Sequence, residues 1–195
     1  NRSSYSISIW FKVDLLANSS ANRYLISQTN GSGMGRSLIY ITNTSCSNQS
    51  ISNYLGGSEF CSGFHVMVEQ WYHVVLTVTE NGANDNLTFY GNGVLTNSTL
   101  SNTESADGGK FALGVAKTWG GYFDGMIDEL IIFNRTLSSQ EILALYNASA
   151  NQYQNNFTSL SYGNHTFTGY AVDKAGNKNQ TEQRTVTVQS NTAPT

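Results

Sequence analysis

The stretch that decides the fold is residues 121–146, GYFDGMIDELIIFNRTLSSQEILALY. It opens with glycine and aspartate residues that favour turns, and then runs through the mainly apolar residues 126–133. The remainder has the composition of a helix start followed by an apolar stripe. The stretch therefore predicts a strand followed directly by one helix.

The start of that helix is marked by two local patterns. Ser138 stands at the N-cap and Glu141 three residues later, which is a capping box, and Leu137 and Ile142 occupy the positions of a hydrophobic staple. The apolar stripe ends near Asn147, after fewer than three turns. A helix this short is stable only when it packs on another surface, so we expect it to lie on a sheet.

The sequence upstream of this stretch is dominated by a period of two. Apolar and polar residues alternate through Tyr5–Val13 and again through 72–78, which is typical of half-buried strands. Further strand candidates are 24–28, 38–42, 64–68, 86–90, 111–115 and 126–133. Asn-Gly, Gly-Asn-Gly and Asp-Gly turns separate several of them. The pattern predicts an all-β sandwich with one capped helix.

The sequence after Asn147 is different in composition. A polar stretch, 148–156, is followed by alternating segments 164–172 and 183–189 on either side of a turn at 173–177. Three strands at most are too few for an independent sandwich, so this part needs a partner surface. Residues 191–195 hold the only proline and are predicted to be a linker.

Residues 121–146 resemble the closing signature of laminin G-like domains of the concanavalin A-like lectin/glucanase superfamily. Earlier segments resemble the strands of that family in the same order, namely 5–12, 70–77, 87–93 and 111–114. The resemblance covers residues 1–147 and implies a two-sheet jelly-roll with the capped helix lying across it. Residues 163–188 resemble the last strands of immunoglobulin-like repeats in prokaryotic and archaeal surface proteins, which makes 148–190 a partial immunoglobulin-like segment.

Members of this family usually carry further strands before the point at which this sequence begins. We therefore expect the jelly-roll to lack its first strands and to expose hydrogen-bonding edges. A neighbouring chain or a lost upstream segment could supply the strands by β-augmentation. The alternative is a piece of a longer parent chain, cut from a surface protein.

Only 12% of the residues are charged, against ~25% in an average soluble domain. Asn-x-Ser/Thr acceptors without proline are correspondingly frequent. They are Asn1, Asn18, Asn30, Asn43, Asn48, Asn86, Asn97, Asn134, Asn147, Asn156, Asn164 and Asn179. We predict that several are N-glycosylated, which places the protein outside the cell or on its surface. The alternative is that a polar β-protein accumulates such triplets by composition alone.

The charge and the cysteine content narrow the range of partners that we expect. The net charge is −3 and the ten Lys and Arg residues are scattered, so neither nucleic acid nor an anionic membrane is an expected partner. The apolar runs are too short to span a bilayer. Cys46 and Cys61 are predicted to form a disulfide, with a free buried pair as the alternative, and their spacing matches no zinc motif.

An enzyme of this superfamily would need catalytic acids, and glycosidases with this fold carry Glu-x-Asp-x-x-Glu along one strand. That arrangement is absent here, and Asp128 and Glu129 are adjacent, so on a strand they point to opposite faces. His65, His73 and His165 are isolated from one another, which favours structural roles. We predict that the protein is not an enzyme.

Two kinds of binding site remain as candidates. Many laminin G-like domains bind calcium, and Asp124 and Asp128 lie on the family motif, although each could instead stabilise a turn or a loop. Trp10, Trp71 and His73 fall on the strand face opposite the apolar set, where rings could stack on a sugar or could pack under loops or the helix. Trp119 lies in a glycine-flanked loop and is the preferred exposed contact.

These observations favour a non-catalytic extracellular module for adhesion or for recognition of a glycan or another surface protein. It requires no cofactor, and a structural calcium ion is left open. The alternative is a structural subunit of an extracellular filament or surface layer, in which copies of the chain exchange strands. A filament subunit should show strand pairing between chains, whereas a binding module should be monomeric and retain a ligand.

Overall fold

The computed structural model describes residues 4–17, 21–29, 35–44, 46, 48–55, 58–102, 110–116, 121–150, 158–172 and 178–190. The chain divides into two compact units, Asn1–Gln152 and Tyr153–Thr195. Within the described ranges no helix is long and apolar enough to cross a membrane.

The first unit contains twelve described strands and one helix. The strands are β1 Tyr5–Val13, β2 Arg23–Thr29, β3 Gly35–Thr42, β4 Ser50–Leu55, β5 Ser58–His65, β6 Trp71–Asn81, β7 Asn84–Gly91, β8 Val94–Asn102, β9 Lys110–Leu113, β10 Val115–Ala116, β11 Gly121–Tyr122 and β12 Gly125–Phe133. The helix, α1, is Ser139–Ala150.

Ten of these strands form two antiparallel five-stranded sheets. The first sheet has the order β12-β1-β6-β7-β8, and the second has the order β5-β4-β3-β2-β9. Strands β10 and β11 form a short hairpin beside β2. The two sheets pack face to face, which confirms the predicted all-β sandwich.

The core lies between the two sheets and is built from the alternation seen in the sequence. Ile7, Ile9 and Phe11 of β1 are at most 1% exposed and face the second sheet, whose inner face supplies Ile39 and Ile41. Full burial of each such side chain stabilises the fold by about 1.5–3 kcal/mol. The opposite face of β1 carries Ser6, Ser8, Trp10 and Lys12, as the alternation predicts.

Helix α1 begins as the sequence predicts. The Ser138 amide donates to Glu141 Oε2 at 2.9 Å, and the Glu141 amide donates to Ser138 Oγ at 3.3 Å, so the capping box is confirmed. Leu137 and Ile142 are both buried with Val75 of β6, which places the helix on the outer face of the first sheet. The helix continues to Ala150, beyond the expected end near Asn147.

The start of the helix is also tied to the first strand. Ser6 Oγ donates to the carbonyl of Arg135 at 2.9 Å and accepts from the amide of Leu137 at the same distance. Arg135 forms an ion pair with Glu141 at 2.6 Å. That ion pair and the cap lower the pKa of Glu141 to about 2, the hydrogen bond from Arg135 being the main cause.

The sandwich has one lateral side, bounded by β5 and β8, that we term the closed side. Strand β5 contacts both β7 and β8, and Asn97 Nδ2 of β8 donates to the carbonyl of Cys61 in β5 at 2.9 Å. Gly91 lies against the ring of Phe64 so closely that a Cβ there would come within 2.3 Å of it. The disulfide between Cys46 and Cys61 confirms the predicted pairing and anchors β5.

The opposite lateral side, bounded by β9 and β12, is termed the open side. Because β5 faces β8 and β7, the strand orders place β9 and β12 together at the other end. Phe123, between β11 and β12, covers one end of this side and packs edge-on against Phe11 at 6.2 Å. Three inner-face side chains nevertheless remain about half exposed, namely Phe111 at 55%, Leu113 at 50% and Ile132 at 48%.

In the first unit the sequence and the structure differ at four strands. The predicted strand 64–68 is wrong, because β5 ends at His65 and residues 66–70 form the connection to β6. Strands β4, β8 and the two-residue β11 were not predicted. In β4 the polar residues Ser50, Ser52 and Asn53 are buried. The polar sequence therefore does not indicate that this strand lies inside the sheet, between β5 and β3.

The second unit contains four described strands in two antiparallel pairs, whereas the sequence predicted three at most. They are β13 Gly163–Phe167, β14 Tyr170–Val172, β15 Lys178–Gln180 and β16 Arg184–Val188. Strand β13 pairs with β16 and β14 pairs with β15. Phe167, Tyr170 and Val186 are each about half exposed, as expected for a unit with too few strands to enclose a core.

Candidate functional site

The outer face of the first sheet carries a cluster of three aromatic rings that contact one another. Trp10 and His73 are opposite each other on β1 and β6, with ring centroids 5.1 Å apart. Tyr146 of α1 stacks on Trp10 at 5.7 Å and on His73 at 6.0 Å. The rings thus pack beneath the helix, which was one of the two alternatives that the sequence left open.

His73 is 1% exposed, so it does not present a ring face to a sugar, and its prediction as a ligand contact is wrong. Its Nε2 lies 2.8 Å from Ser8 Oγ, and its backbone amide donates to Asn92 Oδ1 at 3.0 Å. Burial lowers the pKa of His73 to about 4, so the ring is neutral near pH 7. Trp10 is half-buried in the same cluster, and Tyr146 stacks on it.

Trp71 has a different environment. It begins β6, directly opposite Lys12 of β1, and is 43% exposed. Lys12 is in turn opposite Met126 of β12, which is 53% exposed. We term this area the Trp71 rim and define it by Lys12, Asp14, Met67, Glu69, Trp71 and Met126.

Charged side chains of the rim form ion pairs with one another. Lys12 Nζ contacts Glu69 Oε2 at 2.6 Å and Asp14 Oδ1 at 3.5 Å. The Lys12 side chain is only 17% exposed, whereas that of Glu69 is 67% exposed. The hydrogen bond to Glu69 raises the pKa of Lys12, and the carboxylate retains its second oxygen for other donors.

The connection that carries Met67 and Glu69 is anchored by main-chain contacts. The Glu69 amide donates to the carbonyl of Val13 at 2.9 Å, and Met67 donates its amide to Tyr72 Oη at 3.0 Å. Glu69 adopts a left-handed conformation, with φ of 61°, which turns the chain into β6. The rim is therefore a preformed surface rather than a loose loop.

The two carboxylates predicted to bind calcium do not form one site. Asp128 lies on β12 opposite Trp10, whereas Asp124 precedes the strand, with its carbonyl accepting from the Asp14 amide at 2.9 Å. Four residues of extended chain separate them by roughly 10 Å or more. Ligands of one calcium ion lie within about 5 Å of each other, so the pair does not fit the ion. The Asp128 carboxylate instead accepts from the Glu129 amide at 2.8 Å.

The other described residues do not provide a metal site either. Among them, no group of three or more His, Cys, Asp and Glu side chains converges. Trp119, the preferred exposed contact, lies outside the described residues, as do the acceptor residues Asn1, Asn18, Asn30 and Asn156.

The eight other glycosylation acceptors are on the described part of the chain. Seven are exposed, namely Asn43, Asn48, Asn97, Asn134, Asn147, Asn164 and Asn179, and Asn86 is half-buried. Their accessibility is compatible with glycan attachment in both units.

A second aromatic cluster was not predicted from the sequence. Tyr24 and Tyr40 lie on the outer face of the second sheet with ring centroids 5.2 Å apart, and Tyr40 Oη donates to Glu59 Oε1 at 2.6 Å. Burial is the main cause of a raised pKa at Tyr40. Both rings are at most 5% exposed, and Gly121 lies against Tyr24, so the cluster supports the hairpin β10–β11 rather than an open site.

The tyrosine cluster could have been anticipated only with the strand register. Tyr24 and Tyr40 fall in strands that the sequence predicted, but Glu59 lies in β5, which the sequence placed elsewhere. Without the pairing of β3 to β4 and β4 to β5, nothing in the pattern brings the carboxylate to the rings.

The capped helix and the two-sheet order, with β1 between β6 and β12, agree with the fold that the sequence resemblance implied. Residues 1–143 match the family described as the concanavalin A-like lectin/glucanases superfamily. The chain belongs to this superfamily. A search of curated proteins found no match.

Solved structures with similar folds include carbohydrate-active and other proteins. Domain 4 of AbnA, a GH43 extracellular arabinanase from Geobacillus stearothermophilus, in complex with arabinotriose, is 23% identical with a TM-score of 0.57. The alignment covers 74% of this chain and 68% of that one. A SAP-like pentraxin from Limulus polyphemus is 12% identical with a TM-score of 0.58, covering 94% and 82% of the two chains.

A sialidase from Trypanosoma rangeli is 18% identical with a TM-score of 0.56, and the match covers 76% of this chain but 23% of the sialidase. At such identities these similarities establish the fold of the superfamily member and not its ligand.

Proposed function

We propose that the protein is a non-catalytic extracellular module that recognises a neutral glycan through the Trp71 rim. The observation that carries this proposal is the exposed indole of Trp71 beside the Lys12–Glu69 ion pair. A pyranose or furanose face stacks on an indole through apolar burial, while carboxylates accept hydrogen bonds from sugar hydroxyls.

The charge of the rim selects among glycans. Asp14 and Glu69 place two carboxylates beside the single ammonium group of Lys12. This excess of negative charge disfavours sialylated or sulfated sugars and favours neutral ones. The arabinanase domain in complex with arabinotriose supports a neutral pentose oligosaccharide as the first candidate.

The proposal that the protein is not an enzyme rests on its carboxylates. Hydrolysis of a glycosidic bond requires two acids about 5–9.5 Å apart and facing the same bond. On the exposed strand β12, Asp128 accepts from the amide of the adjacent Glu129, which adopts φ of 46°. In the rim, Asp14 and Glu69 both contact the ammonium group of Lys12, so we propose that these two carboxylates form ion pairs rather than an acid–base pair. We expect incubation with arabino-oligosaccharides to release no reducing ends.

Extracellular placement rests on two features. The disulfide between Cys46 and Cys61 is stable in an oxidising compartment, and seven acceptor asparagines are exposed. Mass spectrometry of the protein isolated from its native source should find glycans on several of them. Uniformly unmodified acceptors would contradict this placement.

Binding is tested by isothermal titration with arabinotriose and by a glycan array. Trp71→Ala should weaken binding at least about tenfold, which corresponds to ~1.4 kcal/mol, whereas Trp71→Phe should retain part of it. Leu95→Ala on β8, where Leu95 is 57% exposed, is the matched control and should leave binding unchanged. Equal binding by the wild type and Trp71→Ala would refute the rim as the site.

The alternative function, a filament or surface-layer subunit, makes a different prediction about assembly. Copies that exchange strands should associate with increasing concentration, without added ligand. Sedimentation of the purified protein separates the two proposals, because the recognition module is expected to remain monomeric.

A further inference from the structure

A second exposed aromatic ring lies at the same end of the sandwich as Trp71. Tyr122 of β11 is 73% exposed, more than any other aromatic side chain described in the first unit. Three residues after it, Gly125 begins β12 opposite Val13, which is the last residue of β1. Trp71 begins β6 opposite Lys12 of the same strand, so both rings lie where β1 ends.

The surface between the two rings is continuous along the chain. Met126 of β12 and Trp71 are both direct partners of Lys12, with about 5 Å between the Cα atoms of each pair. Tyr122 precedes Met126 by four residues, which span at most ~14 Å when fully extended. Those steps place the Cα atoms of the two aromatic residues at most about 25 Å apart, so an oligosaccharide of moderate length reaches both rings.

The backbone at Tyr122 is hydrogen-bonded to its neighbours. Strand β11 pairs with β10, and the amide of the next residue, Phe123, donates to the carbonyl of Gly114 at 2.8 Å. Gly121 packs closely on Tyr24, because a Cβ there would lie 2.8 Å from that ring. Since Gly121 faces the tyrosine cluster, the adjacent Tyr122 points to the other side of the hairpin. The exposed ring is thus carried by a main chain that is already paired, which limits the entropy lost on binding.

The strip between the rings mixes apolar and acidic side chains. Leu15 and Met126 are 52% and 53% exposed, and Asp14 and Asp124 are exposed beside them. The Asp124 carbonyl accepts from the amides of Asp14 and Leu15 at 2.9 and 3.4 Å, which joins the two segments. Sugar rings present apolar faces and donor hydroxyl groups in turn, so such a strip fits a neutral sugar chain.

We infer that Tyr122 is a second stacking site beyond the Trp71 rim, and that the two rings together bind an internal stretch of a linear neutral oligosaccharide. This inference rests on the proposed glycan recognition at Trp71 and adds the length of the ligand to it. Once a chain is bound at Trp71, its contact with Tyr122 is intramolecular, so even a weak stacking contact raises the affinity for long chains. Tyr122 therefore selects for chain length rather than for the type of sugar.

The test compares arabinotriose with arabino-octaose by isothermal titration of the full chain. Tyr122→Ala should weaken binding of the octaose about fivefold or more and leave binding of the triose unchanged. Tyr122→Phe should retain the affinity for the octaose, because the ring and not the hydroxyl makes the contact. Tyr162→Ala in the second unit is the matched control, since Tyr162 is 74% exposed, and it should change neither affinity. Thermal unfolding of each variant verifies folding.

Three results would overturn the inference. They are an unchanged affinity of Tyr122→Ala for the octaose, equal losses of this variant for triose and octaose, and an equal loss for the octaose in Tyr162→Ala. None of these affects the proposed function, which fails instead when Trp71→Ala binds the triose as tightly as the wild type does. A wild type that binds neither sugar would overturn the inference together with the choice of a neutral pentose oligosaccharide.

Discussion

The two lateral sides of the sandwich differ in how completely they cover the core. On the closed side, β5 and β8 are joined by the hydrogen bond from Asn97 to Cys61, and the disulfide holds β5 to the preceding loop. On the open side, β9 and β12 leave Ile132 and Phe111 about half exposed. One edge of the core is therefore covered, and the opposite edge is partly exposed to solvent. Residues of equal hydrophobicity should contribute very differently to stability according to the margin they face.

The largest expected effect compares two isoleucines that are direct strand partners. Ile7→Ala removes a fully buried side chain and should lower the free energy of unfolding by about 2–5 kcal/mol. Ile132→Ala should lower it by roughly half as much or less, because water already reaches that side chain. Urea unfolding of both variants measures the difference. Equal losses would mean that the open side is as well packed as the centre.

Removal of the disulfide should weaken the closed side alone. Replacing Cys46 and Cys61 by serine frees a loop with a sequence separation of 15 and should cost about 3 kcal/mol. Hydrogen exchange should then accelerate in β4 and β5, while β12 and β9 keep their rates. Faster exchange on both sides to the same extent would contradict the separation of the two margins.

Lowering the pH should reduce stability without acting on either lateral side of the sandwich. His73 has a pKa of about 4 when folded and an ordinary value near 6.5 when unfolded. The unfolded chain therefore binds the proton first, and stability falls as the pH drops from 6.5 towards 4, by about 2 kcal/mol at pH 5.

His73→Gln should remove that part of the pH dependence in urea unfolding at pH 7 and pH 5. The difference between Ile7→Ala and Ile132→Ala should stay constant across the same range. An unchanged pH dependence in His73→Gln would mean that the folded state accommodates the charged ring.

The smallest effect concerns the hydrogen bond that closes the sandwich. In protein made without glycosylation, Asn97→Ala should cost about 0.5–1.5 kcal/mol through loss of the contact to Cys61. Thr99→Ala destroys the same glycosylation acceptor but keeps the Asn97 side chain, so it should cost less in thermal unfolding. A larger loss for Thr99→Ala would assign the effect to β8 itself.

Much of the fold could be predicted from local sequence. Tyr5–Val13 alternates because one face is buried, and Ser138 and Glu141 satisfy the helix start with their own side chains, so both patterns are visible without tertiary contacts. The disulfide was likewise predicted from Cys46 and Cys61 and is confirmed. These features depend on periodicity or on short-range chemistry.

What could not be predicted depends on long-range partners. Strand β4 buries Ser52, whose hydroxyl donates to Cys46 Sγ at 3.0 Å, so its sequence reads as polar although its position is central. His73 and Trp71 fall on the same strand face, and only the position of Tyr146 decides that one is covered and the other exposed. Alternation assigns a face to a side chain, whereas coverage of that face is a tertiary property.

The two hydrogen bonds of Ser6 span 129 and 131 residues of sequence, and β1 lies between β6 and β12. A chain that emerges from the ribosome at about 5–20 residues per second therefore exposes β1, one face of which belongs to the core, for roughly 10 s before β12 arrives to flank it. Completion of the first sheet is necessarily a late event of synthesis. High contact order of this kind slows folding and leaves the nascent chain dependent on whatever shields β1 during that interval.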